Sequence, residues 1–139
     1  MAYLEVRGLR KSYRSRGGVT PVLGGVDLSL DAGEFVAVVG YSGSGKTTLV
    51  SLIAGLLTPD GGEIWLEGAP VSGPGPERGI VFQQYSLLPW LSVRGNVALA
   101  VDAVNPTLPA AVRRRLTDGL IALVNLSPAA SKKPPVLSV

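Results

Sequence analysis

Gly40-Tyr41-Ser42-Gly43-Ser44-Gly45-Lys46-Thr47-Thr48 decides the fold of this chain. It fits the pattern G-x-x-x-x-G-K-[ST], a loop that joins a strand to a helix and cradles phosphate groups. Glycines at 40, 43 and 45 let the backbone curl so that successive N–H groups face one concavity, which side chains beyond Cβ would obstruct. The helix starting near Gly45 adds unpaired N–H groups and the positive end of its dipole. Lys46 supplies a mobile cation for β- and γ-phosphates, the Thr47 hydroxyl suits Mg²⁺, and Thr48 is expected to reach the α-phosphate. The ligand predicted from these residues is a nucleoside triphosphate with magnesium.

Four fixed positions arise by accident in about one random chain of this length in a hundred. The flanks make an accident rarer still. Glu34-Phe35-Val36-Ala37-Val38-Val39 is short, apolar and rich in β-branched residues, which predicts a buried parallel strand ahead of the loop. Behind it, Leu49, Leu52, Ile53 and Leu56 recur at helical spacing, with Gly55 a weak point and Thr58-Pro59-Asp60-Gly61 a stop.

With 139 residues, 46% of them hydrophobic and 17% charged, the chain suits one ordered globular domain. Its 18 glycines and 11 prolines predict short elements joined by loops. The lack of cysteine excludes disulfides, cysteine nucleophiles and thiolate metal sites, and the lack of histidine argues against a metal hydrolase. The first residues hold no uninterrupted apolar stretch of signal-peptide type, and no run approaches the roughly 18 to 20 apolar residues that span a bilayer. A cytoplasmic protein is expected. Net charge is +3, and the one dense cluster, Arg113-Arg114-Arg115, reads as a solvated helix face, so no nucleic-acid partner is expected.

Alternation from Tyr3 to Leu9 and over Val26-Asp27-Leu28-Ser29-Leu30, around the turn residues Ser15-Arg16-Gly17-Gly18, predicts an antiparallel hairpin. Glu63-Ile64-Trp65-Leu66-Glu67 and Gly79-Ile80-Val81-Phe82 read as further strands, with a loop from Val71 to Pro76. Val93, Val97, Val101 and Val104 form a helical stripe. A second helix is expected from Pro109 to Asn125, burying Leu116, Leu120, Leu123 and Val124. From Ser127 onward the chain reads as loop.

Taken together these residues resemble the ATP-binding subunits of ABC transporters, most closely the nitrate, sulfonate and taurine importer group, and the likeness covers essentially the whole chain. It lies in the phosphate loop and, in the family's order, in Ser72-Gly73-Pro74-Gly75-Pro76-Glu77-Arg78-Gly79, Val81-Phe82-Gln83-Gln84-Tyr85-Ser86-Leu87-Leu88-Pro89-Trp90 and Asn96-Val97-Ala98-Leu99-Ala100-Val101. The resemblance implies an α/β P-loop NTPase of the ABC ATPase type, its N-terminal part only. Residues 1–33 would form an antiparallel β region, 34–91 the P-loop core with its Q-loop, and 92–139 part of the helical subdomain.

The resemblance also assigns roles. Tyr13 matches the aromatic that stacks on adenine, a sequence-tolerant contact of a flat ring. Gln83 matches the Q-loop glutamine, which touches Mg²⁺ or the attacking water. The implied ligands are ATP and Mg²⁺, held by Tyr13, Gly40, Ser42, Gly43, Ser44, Gly45, Lys46, Thr47, Thr48 and Gln83. The apolar segment Tyr85 to Trp90 lies in the family near the groove that receives a transmembrane permease subunit, and exposed apolar loops ask for a cover. The implied setting is the inner face of the cell membrane, beside a permease and a second ATP-binding subunit.

Against the family's pattern, Lys133-Pro134-Pro135-Val136-Leu137-Ser138 matches the approach to the signature, and Val139 stands where its first glycine is expected. The rest of the signature, the Walker B strand and the switch histidine are not among these residues. The strand carrying the phosphate loop is therefore expected to have an open edge. Val97-Ala98-Leu99-Ala100-Val101-Asp102 imitates a Walker B strand, but Ala103 takes the place of the catalytic glutamate and the valines keep helical spacing. Nucleotide binding without efficient hydrolysis is the expectation, because phosphoryl transfer rests on positioning and on stabilised charge. The alternatives are a non-catalytic module that docks on a permease, a truncated product without activity, and an unrelated small kinase or GTPase. The last lacks support, since no Asn-Lys-x-Asp motif or arginine-rich lid is found.

Overall fold

The computed structural model describes residues 2–84 and 86–134. They fall into two compact units, Met1–Ile80 and Val81–Val139. In the first, β1 (Leu4–Ser15) and β2 (Gly18–Leu30) form the expected antiparallel hairpin, with Leu4 opposite Leu30 and Ser15 opposite Gly18. β3 (Gly61–Leu66) lies on the other side of β1, and the short β4 (Ala69–Pro70) completes the sheet order β2-β1-β3-β4, antiparallel throughout. Register slips after Val6, where Arg7 and Gly8 face Asp27 alone; the Asp27 carboxylate takes up the Gly8 N–H at 2.7 Å.

Alternation does here what it should. Leu4, Val6 and Leu9 of β1, Leu23 of β2, and Ile64 and Leu66 of β3 are buried on one face of the sheet. The helix α1 (Lys46–Ile53) lays Leu49 and Leu52, one turn apart, into that layer. The sheet and the helix thus share one core, and the phosphate loop sits at the helix's entrance.

α1 ends earlier than its apolar spacing predicts. Gly55, at φ +75°, is the residue just past the helix cap. The Leu56 N–H returns to the Ser51 carbonyl at 2.9 Å and the Gly55 N–H to Leu52 at 3.0 Å, the paired bonds of a Schellman ending. Gly55 is a terminator rather than a weak point, and Leu56, 44% exposed, lies beyond the helix. A Cβ at Gly55 would stand 2.2 Å from the Gly73 carbonyl oxygen, so the loop of residues 71–76 closes directly over the helix end. Arg78 fastens that contact: its side chain donates to the Ile53 carbonyl at 3.3 Å and to Gly73, and pairs with Glu77 at 2.9 Å.

Two expected strands do not form. Residues 34–40 and 79–82 carry no strand pairing, and Phe35 and Val39 are each 91% exposed, Val81 99%. A parallel strand exists only where neighbours take its N–H and C=O groups, and among the described residues neither segment has such a neighbour. An apolar run is a necessary signal for a buried strand and not a sufficient one.

The second unit is an α-helical pair. α2 (Val93–Val104) follows the valine stripe, although burial falls chiefly on Val93 and Val101. α3 (Ala110–Leu123) has Pro109 as its N-cap and so begins one residue after the expected start. Its buried side is Thr117 and Ile121, not the predicted stripe: Leu116, Leu120, Leu123 and Val124 are 42%, 48%, 78% and 59% exposed. Thr117 can take a buried place because its hydroxyl donates to the Arg113 carbonyl at 3.0 Å. Arg94 meets Asp118, and Arg113 donates from Nε to Asp102 at 2.6 Å, which straps the two helices antiparallel. Of the arginine cluster, Arg113 is thus engaged in the helix pair, while Arg114 and Arg115 stay exposed. Ser127–Ala129 forms a short 3-10 turn within the expected loop, and the signature-like residues from Pro135 to Val139, like Tyr85, lie outside the described residues.

Candidate functional site

The loop from Gly40 to Gly45 is closed by its own lysine. Lys46 Nζ donates to the carbonyls of Gly40 and Tyr41, both at 2.7 Å, and to Ser44 Oγ at 3.3 Å. These bonds use the three protons of the ammonium and hold the cation over the loop. Gly43 and Gly45 take the left-handed backbone, at φ +82° and +93°, while a Cβ at Gly40 would meet Ser44 Oγ at 2.5 Å. The Ser44 N–H bonds Tyr41 O at 3.2 Å, and Ser42 is exposed at the tip of this turn.

The entrance of α1 combines an uncapped helix start, a feature α3 shares, with an adjoining lysine and a glycine-rich loop. The start of α2 is sealed: Val93 and Arg94 donate to the carbonyls of Lys132 and Ala130, each at 2.9 Å, and Gly95 donates to the N-cap Ser92 Oγ at 3.1 Å. α1 has a glycine N-cap with no side-chain bond and no acidic residue in its first turn. Its first intrahelical donor is Leu49, to Gly45 O at 2.9 Å, so the N–H groups of Lys46, Thr47 and Thr48 have no partner within the helix. Three donors, a lysine and the helix dipole therefore converge where the glycines keep the surface bare. Such a site suits a multiply charged oxyanion.

The hairpin sets the loop in place. A Cβ on Gly45 would touch Leu23 Cδ2 at 3.0 Å and Val22 Cγ1 at 3.1 Å, so α1 starts hard against β2. From β1, Tyr13 reaches Thr48, their hydroxyl oxygens 3.2 Å apart. Thr48 is buried, Thr47 is exposed at the helix entrance, and Tyr13 is 42% exposed, with ring surface to spare. The adjoining residues are pinned from the other side by Asp60. Its carboxylate accepts from Lys11 Nζ at 3.0 Å and from the Ser12 N–H at 2.6 Å, and both bonds hold its pKa below the ordinary value of 3.8, Lys11 contributing most. Val22, Leu23 and Asp60 carry no motif signal, and only the folded chain reveals their role.

Known proteins resemble this chain in sequence and in fold. The family model described as ABC transporter matches residues 23–138. The chain belongs to the ABC transporter family. Bicarbonate transport ATP-binding protein CmpC of Synechococcus elongatus is 47% identical over 137 residues, which make up 98% of this chain and 21% of that protein. Nitrate import ATP-binding protein NrtD of the same organism is 44% identical over 136 residues, 98% of this chain and 50% of that one. The chain thus spans half or less of these relatives. Among solved structures, the dimeric post-hydrolysis state of an ATP-binding cassette bound to ADP and Pi superposes with a TM-score of 0.83 at 27% identity, covering 97% of this chain and 63% of that one. The fold is accordingly the N-terminal part of an ABC ATPase domain.

In this ABC transporter chain, Tyr13 and the residues from Gly40 to Thr48 come together in the first unit, whereas Gln83 lies exposed in the second. The loop after Gln83 is organised by Asn96, a residue whose role the sequence does not reveal. Asn96 Oδ1 accepts from the Leu88 N–H at 2.8 Å, and its Nδ2 donates to Leu88 O at 3.1 Å and Ser92 O at 3.0 Å. With Leu88 to Ser92 so held, Leu87 and Trp90 remain 52% and 65% exposed. Asp102, the Walker B look-alike, is helical and committed to Arg113. No helix among the described residues is long and apolar enough to cross a membrane.

Proposed function

We propose that this chain captures MgATP as the nucleotide-binding part of the ATP-binding subunit of an importer for small anions, of the nitrate, bicarbonate, sulfonate or taurine kind. The observation that carries the reading is the uncapped entrance of α1, where Lys46 and three free N–H groups meet at a glycine-bared surface. A triphosphate oxygen would exchange with one of the loop carbonyls that hold Lys46 and gain a charge-assisted bond in return. Thr48 would contact the α-phosphate, and the exposed ring of Tyr13 would carry the adenine.

In the unit that carries the phosphate loop, Thr47 is the residue that would hold Mg²⁺. Its hydroxyl is a neutral oxygen at an exposed position, which fits a magnesium ion that arrives with the phosphates and keeps several of its waters. When bound, that ion would neutralise charge on the β- and γ-phosphates. Residues 1–139 by themselves are expected to bind nucleotide with little hydrolysis, since Asp102, the one Walker B look-alike, lies within a helix and pairs with Arg113.

The exposed Leu87 and Trp90 favour docking of the segment Tyr85 to Trp90 on a transmembrane permease at the cytoplasmic face of the membrane. A purely docking, non-catalytic module is the second reading, and co-purification of a permease with a chain that binds no ATP would favour it. Calorimetry tests the first. Lys46→Ala removes one charged hydrogen-bond donor, worth about 1.5–3 kcal/mol, and MgATP affinity should fall about 10- to 150-fold. A flat trace from monodisperse wild-type protein would refute nucleotide capture.

A further inference from the structure

We propose that Tyr13 is a positioning residue for the phosphate end of the site, acting through its hydroxyl on Thr48, in addition to any contact its ring makes with a base. The inference rests on the nucleotide reading above and deepens it. A residue that only stacks needs a ring face. Tyr13 also carries a phenol, and that phenol lies 3.2 Å from Thr48 Oγ1 in the first turn of α1.

Three features make this contact more than a chance neighbour. Thr48 is 9% exposed as a whole residue, so a protein partner for its side chain matters. The backbone of Tyr13 is fixed, paired with Thr20 on β2 and preceded by Ser12, whose N–H is held by Asp60 at 2.6 Å. Gly45, three residues before Thr48, is seated against Val22 and Leu23 of the same hairpin. The first turn of α1 is thus gripped by the hairpin at two points, one steric and one polar.

The direction of the hydroxyl bond gives it a consequence. A phenol is the stronger donor of the two, and a hydroxyl has one proton to give and two lone pairs to fill. With Tyr13 donating, Thr48 Oγ1 is satisfied as an acceptor and keeps its own proton for an anionic oxygen at the helix entrance. Base platform and phosphate loop then share one residue. A change at Tyr13 is felt by ligands that have no base at all.

Inorganic tripolyphosphate with magnesium is the probe that separates the two roles, beside MgATP. In Tyr13→Phe, which keeps the ring and loses the hydroxyl, affinity for both ligands should fall by the same factor, about 3- to 10-fold. Thr48→Val should match it, the double variant should be no worse than either single one, and Thr48→Ser should bind as the wild type does. Adding tripolyphosphate should also perturb a tyrosine ultraviolet band in the wild type, and Tyr13→Phe should abolish that signal, which a general loosening of the fold would not do selectively. A loss confined to MgATP, unchanged binding in Tyr13→Phe, or additive losses in the double variant would overturn the proposal. Wild-type protein that binds neither probe would instead overturn the nucleotide site itself, and this proposal with it.

Discussion

Replacing Gly45 by alanine tests the junction on which the site depends. Gly45 has φ +93°, and an L residue held in left-handed conformation costs roughly 1–2 kcal/mol. The new methyl would also stand 3.0 Å from Leu23 Cδ2, 3.1 Å from Val22 Cγ1 and 3.2 Å from the Val22 carbonyl oxygen. Side-chain carbons can yield by a small rotation, but the carbonyl moves only with the strand. Overpacking of this sort costs about 1–3 kcal/mol. The sum, about 2–5 kcal/mol, is a large share of the 5–15 kcal/mol that typically holds a domain together. Urea unfolding followed by far-ultraviolet circular dichroism should therefore show Gly45→Ala clearly destabilised, with MgATP affinity reduced at urea concentrations where the protein is still folded. Val22→Ala in the same chain should relieve the Cγ1 contact and recover part of the loss, leaving the backbone strain. Gly45→Ala within about 0.5 kcal/mol of the wild type, the range of ordinary surface changes, would refute the packing argument.

Asp60 makes a pH prediction. Its pKa in the fold lies below the ordinary 3.8, so its stabilising contribution is complete above that value and is lost as pH falls through the lower, folded one. Stability of the wild type should drop below about pH 4 more steeply than that of Asp60→Asn, as read from melting temperatures across pH 2.5 to 7. Asp102→Asn should weaken the α2–α3 pair by no more than about 1 kcal/mol and leave MgATP binding unchanged, because a partly exposed ion pair contributes little and this one is no metal site. A large loss of nucleotide affinity in Asp102→Asn, measured by titration with a fluorescent ATP analogue, would restore the Walker B reading.

Much of the site was legible in the sequence because its chemistry is local. Glycines, a lysine and two threonines at fixed spacing specify a curled backbone and a helix entrance whatever surrounds them, and Lys46 folds back over the carbonyls of its own loop. Helices α2 and α3 and the hairpin were legible for a similar reason, since their bonds run between near neighbours or across a single tight turn. Packing decided the rest. The run from Phe35 to Val39 has the composition of a buried strand but no neighbour to pair with among the described residues, and Gly55 ends a helix whose apolar spacing runs on. Helix α3 buries Thr117 and Ile121 rather than a more apolar leucine stripe, against a helix to which Arg94 and Arg113 tie it. The hydroxyl contact between Tyr13 and Thr48 joins residues far apart in the chain, and neither residue type announces it. What the sequence determined by itself is what short-range backbone geometry and charge can specify; strand status, helix rotation and the grip of the hairpin on the loop belong to the tertiary structure, because each depends on a partner that only long-range folding supplies.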